Sequence, residues 1–113
     1  MVNRINELIV LNVKDLEIED LRLLIGQNIA LDITIPLAIT NLEIDPFCEG
    51  DYYNGDLLKS VLSADSKFWP EHKEFKRHLQ EIVRSSITKI KDQNLTEEVE
   101  RSLEKLMLDF LHS

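Results

Sequence analysis

The stretch EGDYYNGDLLKSVL, residues 49–62, joins an irregular acidic segment to a clear helical repeat. Four apolar residues of this stretch fall on one face of a helix: Leu57, Leu58, Val61 and Leu62. The preceding Gly50 and Gly55 allow a positive φ, which a tight corner of the chain often needs. The stretch therefore predicts a sharp corner that leads directly into a buried helix.

The other residue types of this corner favour a structural role. Asp51 or Asn54 is expected to cap the following helix, and Asp56 to lie in its first turn, where the helix dipole favours negative charge. Tyr52 and Tyr53 are expected to pack their rings on the core and to turn their hydroxyl groups outward. Tyrosines among acids are also typical anchors for a basic protein partner, so a docking role is compatible with this structure.

Two chemical roles fit the corner poorly. On the template of a calcium-binding EF-hand loop, Gly50 falls at the required glycine, but Phe47 offers no oxygen at the third position and Asp56 is shorter than the usual final glutamate. Cys48 has no partner motif among the three histidines, and no zinc-ligand spacing is present. We therefore expect no catalytic residue, no metal and no cofactor, with a small metal-dependent carboxylate enzyme as an alternative hypothesis.

Helical periodicity extends over most of the chain. Helices are predicted at residues 3–10 (weakly), 17–27, about 70–92 and about 96–112. The apolar segment 28–45 is predicted as two short helices that meet at Pro36, and Pro70 is predicted at the start of the helix that follows it. The sequence therefore predicts an all-α fold, a single-domain bundle of about six to seven helices over residues 1–113, several of them short.

The composition narrows the class of protein further. A chain of 113 residues suits one domain, and its three glycines and three prolines favour long helices over a many-turned β-sandwich. The lone Cys48 excludes an internal disulfide and is typical of a reducing compartment. No uncharged run approaches the roughly 20 residues of a membrane span, and Glu7 interrupts the N-terminal apolar stretch, which is unlike a signal peptide. We therefore expect a cytoplasmic protein.

The net charge of −8 is unevenly distributed along the chain. Residues 1–65 carry twelve acids and four bases, whereas residues 66–113 carry nine of each. All of the excess negative charge thus belongs to the N-terminal half. Such a charge repels nucleic acid and anionic lipid and attracts a basic partner, although acidity also serves solubility alone in many proteins.

Several blocks of the sequence, in order, carry a resemblance to a known family. They are DLRLLIGQ (Asp20–Gln27), IPLAI (Ile35–Ile39), P..EGDYY.GDLL..VL (Pro46–Leu62) and Phe68–Trp69. Together they resemble the immunity proteins of bacterial contact-dependent growth inhibition (CDI) systems, the CdiI proteins. The resemblance covers about residues 16–69, and the helices predicted at 70–92 and 96–112 are compatible with it.

The resemblance implies a binding protein without chemistry of its own. Such an immunity protein binds the toxic C-terminal domain of a large secreted CdiA-type protein, one to one, and blocks its active site. These toxins are often nucleases, hence basic, and some relatives resemble partners of a ribonuclease A-like toxin. Nucleic acid and membrane are not expected as partners. An acidic adaptor for some other basic protein is the alternative.

Charge and resemblance together give a set of candidate toxin-binding residues: Glu49, Asp51, Tyr52, Tyr53, Asp56, Asp15, Glu17, Glu19 and Asp20. A corner that identifies the family as a whole is more naturally scaffold than a contact to one toxin. We interpret the corner as structure first, with its exposed acids lending charge to the interface. The specific contacts could equally lie on the acids of residues 15–20 or on the later helices.

Overall fold

Helices account for all the regular secondary structure in residues 16–113, the part of the chain that the computed structural model describes. The α-helices are α1 (Ile18–Gly26), α2 (Leu31–Ile44), α3 (Asp56–Leu62), α4 (Lys73–Ser86) and α5 (Glu97–Leu111). Two 3₁₀ helices, Ser66–Glu71 and Ile87–Gln93, flank α4. The predicted all-α bundle is confirmed, whereas the weak helix predicted at residues 3–10 lies outside the described residues.

The core forms where the helices cross. α1 packs on α2 and α3, α4 packs on α2 and α5, and α5 also contacts α3. The predicted stripe of α3 is buried on one side of this core, and Leu79 of α4 and Leu103 of α5 are buried on the other. Burial of these apolar side chains supplies the main driving force for folding.

A single 14-residue helix, α2, replaces the two short helices predicted around Pro36. Pro36 is the sixth residue of α2, where its ring costs a helix about 3 kcal/mol or more. Packing outweighs this cost, because Ile35 before the proline and Ile39 and Leu42 after it are all buried on one continuous face. The helix ends at Ile44 with Asp45 as its C-cap, just before Pro46, as the sequence predicts.

The helix predicted at 70–92 is divided into three segments. Pro70 lies inside the first 3₁₀ helix, α4 begins three residues later at Lys73, and the segment after Ser86 is again 3₁₀. The first 3₁₀ helix buries Trp69, whose ring meets that of Phe110 edge-on, with the ring centroids 5.1 Å apart. For α5, the sequence allows either Asn94 or Thr96 as the cap, and Thr96 takes this role, since its hydroxyl accepts a hydrogen bond from the amide of Val99.

Candidate functional site

The corner, defined here as residues 47–55, is a tight loop between α2 and α3. Phe47 and Cys48 are buried and anchor it to the core, and the amide of Gly55 donates to the Cys48 carbonyl across its neck at 3.4 Å. Gly55 adopts φ +94°, which confirms the predicted positive φ. A side chain there would also approach Leu103 to 3.0 Å. This glycine is therefore required both by conformation and by space.

Asp56 holds the loop from the inside. Its side chain is only 3% exposed, and its two carboxylate oxygens accept hydrogen bonds from the amides of Gly50 (2.7 Å) and Tyr52 (3.1 Å). The predicted caps of α3 are wrong: Gly55 occupies the cap position, and neither Asp51 nor Asn54 bonds to the helix end. Asp56 does lie in the first turn of α3, but its carboxylate serves the corner rather than the helix.

Glu19 holds the same loop from α1. Its Oε1 accepts a hydrogen bond from the amide of Asp51 at 2.9 Å, and its carboxylate is also bonded to the Arg22 guanidinium, with Nε–Oε1 2.6 Å and Nη2–Oε2 2.5 Å. The hydrogen bond from Arg22 lowers the pKa of Glu19 below its ordinary value, and the Asp51 amide acts in the same direction. Glu19 therefore remains ionised and joins α1 to the corner.

Gly50 fits between these two carboxylates. A Cβ at this position would lie 2.6 Å from Oε1 of Glu19 and 3.0 Å from Oδ2 of Asp56. Its φ is not positive, so the corner uses the conformational freedom of glycine at Gly55 and not at Gly50. The glycine is needed because the two clamping side chains approach the backbone closely.

The tyrosines do not anchor the corner in the way the sequence predicts. The Tyr52 side chain is 68% exposed, with the Arg22 guanidinium 4.5 Å from its ring centroid, a cation–π contact. Tyr53 is half-buried and lines a groove with Asn54 and the start of α5. The residues of the corner whose side chains are buried in the core are Phe47 and Cys48, which precede the exposed part of the loop.

Three other candidate acids face solvent around one cleft. Glu17, Glu49 and Asp51 are exposed and, with Glu19, line a cleft of about 410 Å³ between α1, α2 and the corner. Within residues 16–113, no lysine, arginine or histidine forms an ion pair with any of these three. Within that part of the chain, no ion pair neutralises the charge of these three carboxylates.

The two remaining candidates differ in position. Asp20 serves α1 itself, because its Oδ2 accepts a hydrogen bond from the amide of Glu17 at 2.9 Å, which satisfies a free donor at the helix start. Asp15 lies outside the described residues. Arg22 was missed by the sequence analysis, although its position three residues after Glu19 is a spacing at which helical ion pairs form.

Metal binding and cysteine chemistry are the two alternatives to a binding role for the corner. Within residues 16–113, no group of three or more histidine, cysteine, aspartate or glutamate side chains is arranged to hold a metal ion. Burial raises the pKa of the Cys48 thiol to about 11, so it stays protonated and is a poor nucleophile. No helix in the described part of the chain is long and apolar enough to cross a membrane.

Comparison with known proteins places this chain in a family. The family model of CDI immunity proteins matches residues 1–82, from the N-terminus well into α4. No curated protein and no solved structure matches the chain. The family match includes α3 as well as α1, α2 and the corner, the three parts that line the acidic cleft. The chain belongs to the family of CDI immunity proteins.

Proposed function

We propose that this protein neutralises its cognate toxin, the C-terminal domain of a CdiA protein, by binding it one to one in the cytoplasm and covering its active site. The family supports the role of toxin neutralisation. The observation that carries the rest is the group of exposed carboxylates of Glu17, Glu49 and Asp51 around one cleft, unpaired within residues 16–113. A group of exposed negative charges favours a partner whose binding surface is positively charged.

A nuclease toxin fits this surface best. An enzyme that cleaves nucleic acid carries lysines and arginines where the phosphates bind. Carboxylates held at similar spacing can occupy those cationic positions and exclude the substrate. The same charges attract the toxin over distance, and such steering can raise association rates to about 10⁸ M⁻¹s⁻¹ or more at low salt.

The clamped side chains support this surface without taking part in the contact. Asp56 and Glu19 fix three amides of the corner, those of Gly50, Tyr52 and Asp51. A loop fixed before binding loses less conformational entropy when the partner arrives. Tyr52 is then presented as a rigid, exposed aromatic side chain beside the acids, a residue type favoured at the centre of protein interfaces.

Affinity capture from the native bacterium tests the partnership. The tagged chain is expected to recover a basic C-terminal fragment of a CdiA protein in a one-to-one complex. Recovery of some other basic protein in its place would contradict the proposal and favour an acidic adaptor.

A competition experiment with the recovered CdiA domain tests the mode of inhibition. We expect the chain to abolish cleavage of RNA or DNA by this domain, and a catalytically inactive form of the domain to bind either nucleic acid or the immunity protein but not both. Simultaneous binding of both would rule out occlusion, and a domain without nuclease activity would rule out the proposed toxin class.

A further inference from the structure

The helix α2 carries an apolar surface on the side that faces away from the core. Its outer face consists of Ile33, Pro36, Leu37, Thr40 and Ile44, of which Pro36 and Leu37 are half-buried and Leu37 also packs partly against the core. Their separations of three, one, three and four residues place them on one side of a helix, over a length of about 16 Å. Ile44 is 83% exposed and Ile33 is 38% exposed. This outer face contains no charged side chain.

Such a face is unusual for a helix at a protein surface. An amphipathic surface helix normally presents charged residues to water, as α4 does with exposed Glu74, Arg77, Glu81 and Arg84. In α2 the two acids lie to one flank of the outer face, and one of them, Glu43, contacts His78 of α4. The helix is therefore apolar on both its inner and outer faces, and a helix with that pattern is usually covered on both.

The other flank of this face borders the acidic cleft. Asn41 of α2 lines that cleft together with Glu17, Glu49 and Asp51. The apolar outer face and the exposed carboxylates therefore form one continuous surface. Apolar area beside a charged rim is the usual anatomy of a protein–protein interface.

We propose that the outer face of α2 is the hydrophobic centre of the toxin interface, and that the toxin covers it with an apolar patch edged by lysine or arginine on the side of the cleft. This inference rests on the proposed function and names the contact that keeps the dissociation of the toxin complex slow. Charge complementarity selects a basic partner over a second copy of this chain. A second copy docked face to face would bring another acidic cleft alongside, and like charges at an interface are repulsive.

The test compares glutamine substitutions of exposed apolar residues, with a control whose exposure is close to that of Ile33. Ile33→Gln and Ile44→Gln replace apolar contacts on α2 without adding charge and keep a good helix former. Leu108→Gln is the control, because Leu108 is 43% exposed but lies on α5, away from the cleft. Binding to the C-terminal domain of CdiA from the same bacterium is measured by surface plasmon resonance, with the unfolding free energy of each free variant.

We expect each α2 substitution to raise Kd about tenfold, mainly through faster dissociation, while Leu108→Gln changes it less than about twofold. Wild-type affinity in the α2 variants would overturn this inference and leave the proposed function standing. Failure of the wild-type chain to bind the domain would overturn both.

Two further readouts identify the other possible occupants of the face. A large loss of stability in the free α2 variants would show that the same chain already covers the face. A wild-type dimer that Ile44→Gln converts to a monomer, seen by analytical ultracentrifugation, would assign the face to a second copy. Either result would overturn the inference, and we expect stable monomers throughout.

Discussion

The corner and the α4–α5 half of the molecule use charge in opposite ways. In the C-terminal half, charged residues pair near the surface, as Arg101 does with Glu97 (2.7 Å) and Lys91 with Glu100 (3.7 Å). At the corner, the carboxylates of Glu19 and Asp56 bond to backbone amides, Glu19 reaching the amide of Asp51 from 32 residues away, whereas those of Glu17, Glu49 and Asp51 form no ion pair within residues 16–113. The difference teaches that the acids around the corner fall into two groups, one that builds the corner and one, exposed at the surface, that we propose for the partner.

The largest expected effect is that of replacing Asp56, a carboxylate that builds the corner. Asp56→Ala removes a buried carboxylate and leaves the amides of Gly50 and Tyr52 without their acceptor, so we expect a loss of about 2–4 kcal/mol in the free energy of unfolding. Asp51→Ala is the matched control, because Asp51 is exposed, and it should change stability by less than about 0.5 kcal/mol. Urea denaturation measures both, and equal losses would show that the two acids do not belong to different groups.

Gly50 tests the close approach of the two clamps. Gly50→Ala places a methyl group against the Glu19 and Asp56 carboxylates, and we expect a loss of about 1–3 kcal/mol from this overpacking. Gly26→Ala is the control, since a Cβ at this position meets nothing within 4 Å. Gly26 is the last residue of α1, and alanine is a better helix former than glycine. The control should be neutral or slightly stabilising in the same denaturation experiment. A Gly50→Ala protein as stable as the wild type would mean that the Glu19 and Asp56 carboxylates can move aside without loss of stability, which would contradict a tight clamp.

Glu19 sharpens the comparison through pH, with a smaller effect. Because its pKa is lowered in the folded state, ionised Glu19 stabilises the fold at pH values above the ordinary pKa of a glutamate. This contribution is lost as the pH falls through the lowered pKa. The stability difference between wild type and Glu19→Gln should therefore be largest at neutral pH and shrink as the solution is acidified. Glu97→Gln, in an ion pair exposed to solvent, should show little difference at any pH. A difference for Glu19→Gln that does not vary with pH would contradict the clamp.

Local features of the fold could be predicted from the sequence, whereas long-range ones could not. The stripe of α3 and the Thr96 cap depend on residues within one or two helical turns, and both were predicted correctly. The continuity of α2 through Pro36 was not, because burial on both sides of the proline outweighs a local rule. The contact of Trp69, next to Pro70, with the distant ring of Phe110 likewise could not be read from the local sequence.

The candidate site shows the same limit. Charge and residue type identified the acidic region, but they could not separate Asp56, which is buried, from Asp51, which is exposed. The separation depends on which carboxylate meets the amides of the corner, and Glu19 meets one of them only through the packing of α1 against the loop. The exposed Tyr52 ring also contacts the Arg22 guanidinium, a neighbour that no local pattern of the corner contains.

The most direct test of the central claim is the rate at which the CdiA domain associates with two triple variants of equal charge. Glu17→Gln/Glu49→Gln/Asp51→Asn removes the unpaired acids of the cleft. Glu74→Gln/Glu81→Gln/Glu98→Gln removes three exposed acids of α4 and α5. Stopped-flow association is followed from low salt to physiological ionic strength.

We predict that the cleft variant associates about tenfold more slowly at low salt and loses most of its salt dependence, while the control variant stays close to the wild type. Unfolding free energies should match in all three proteins, because none of the six residues is buried. Equal slowing by the two triple variants would show that only total charge matters, and it would contradict the assignment of the cleft to the toxin.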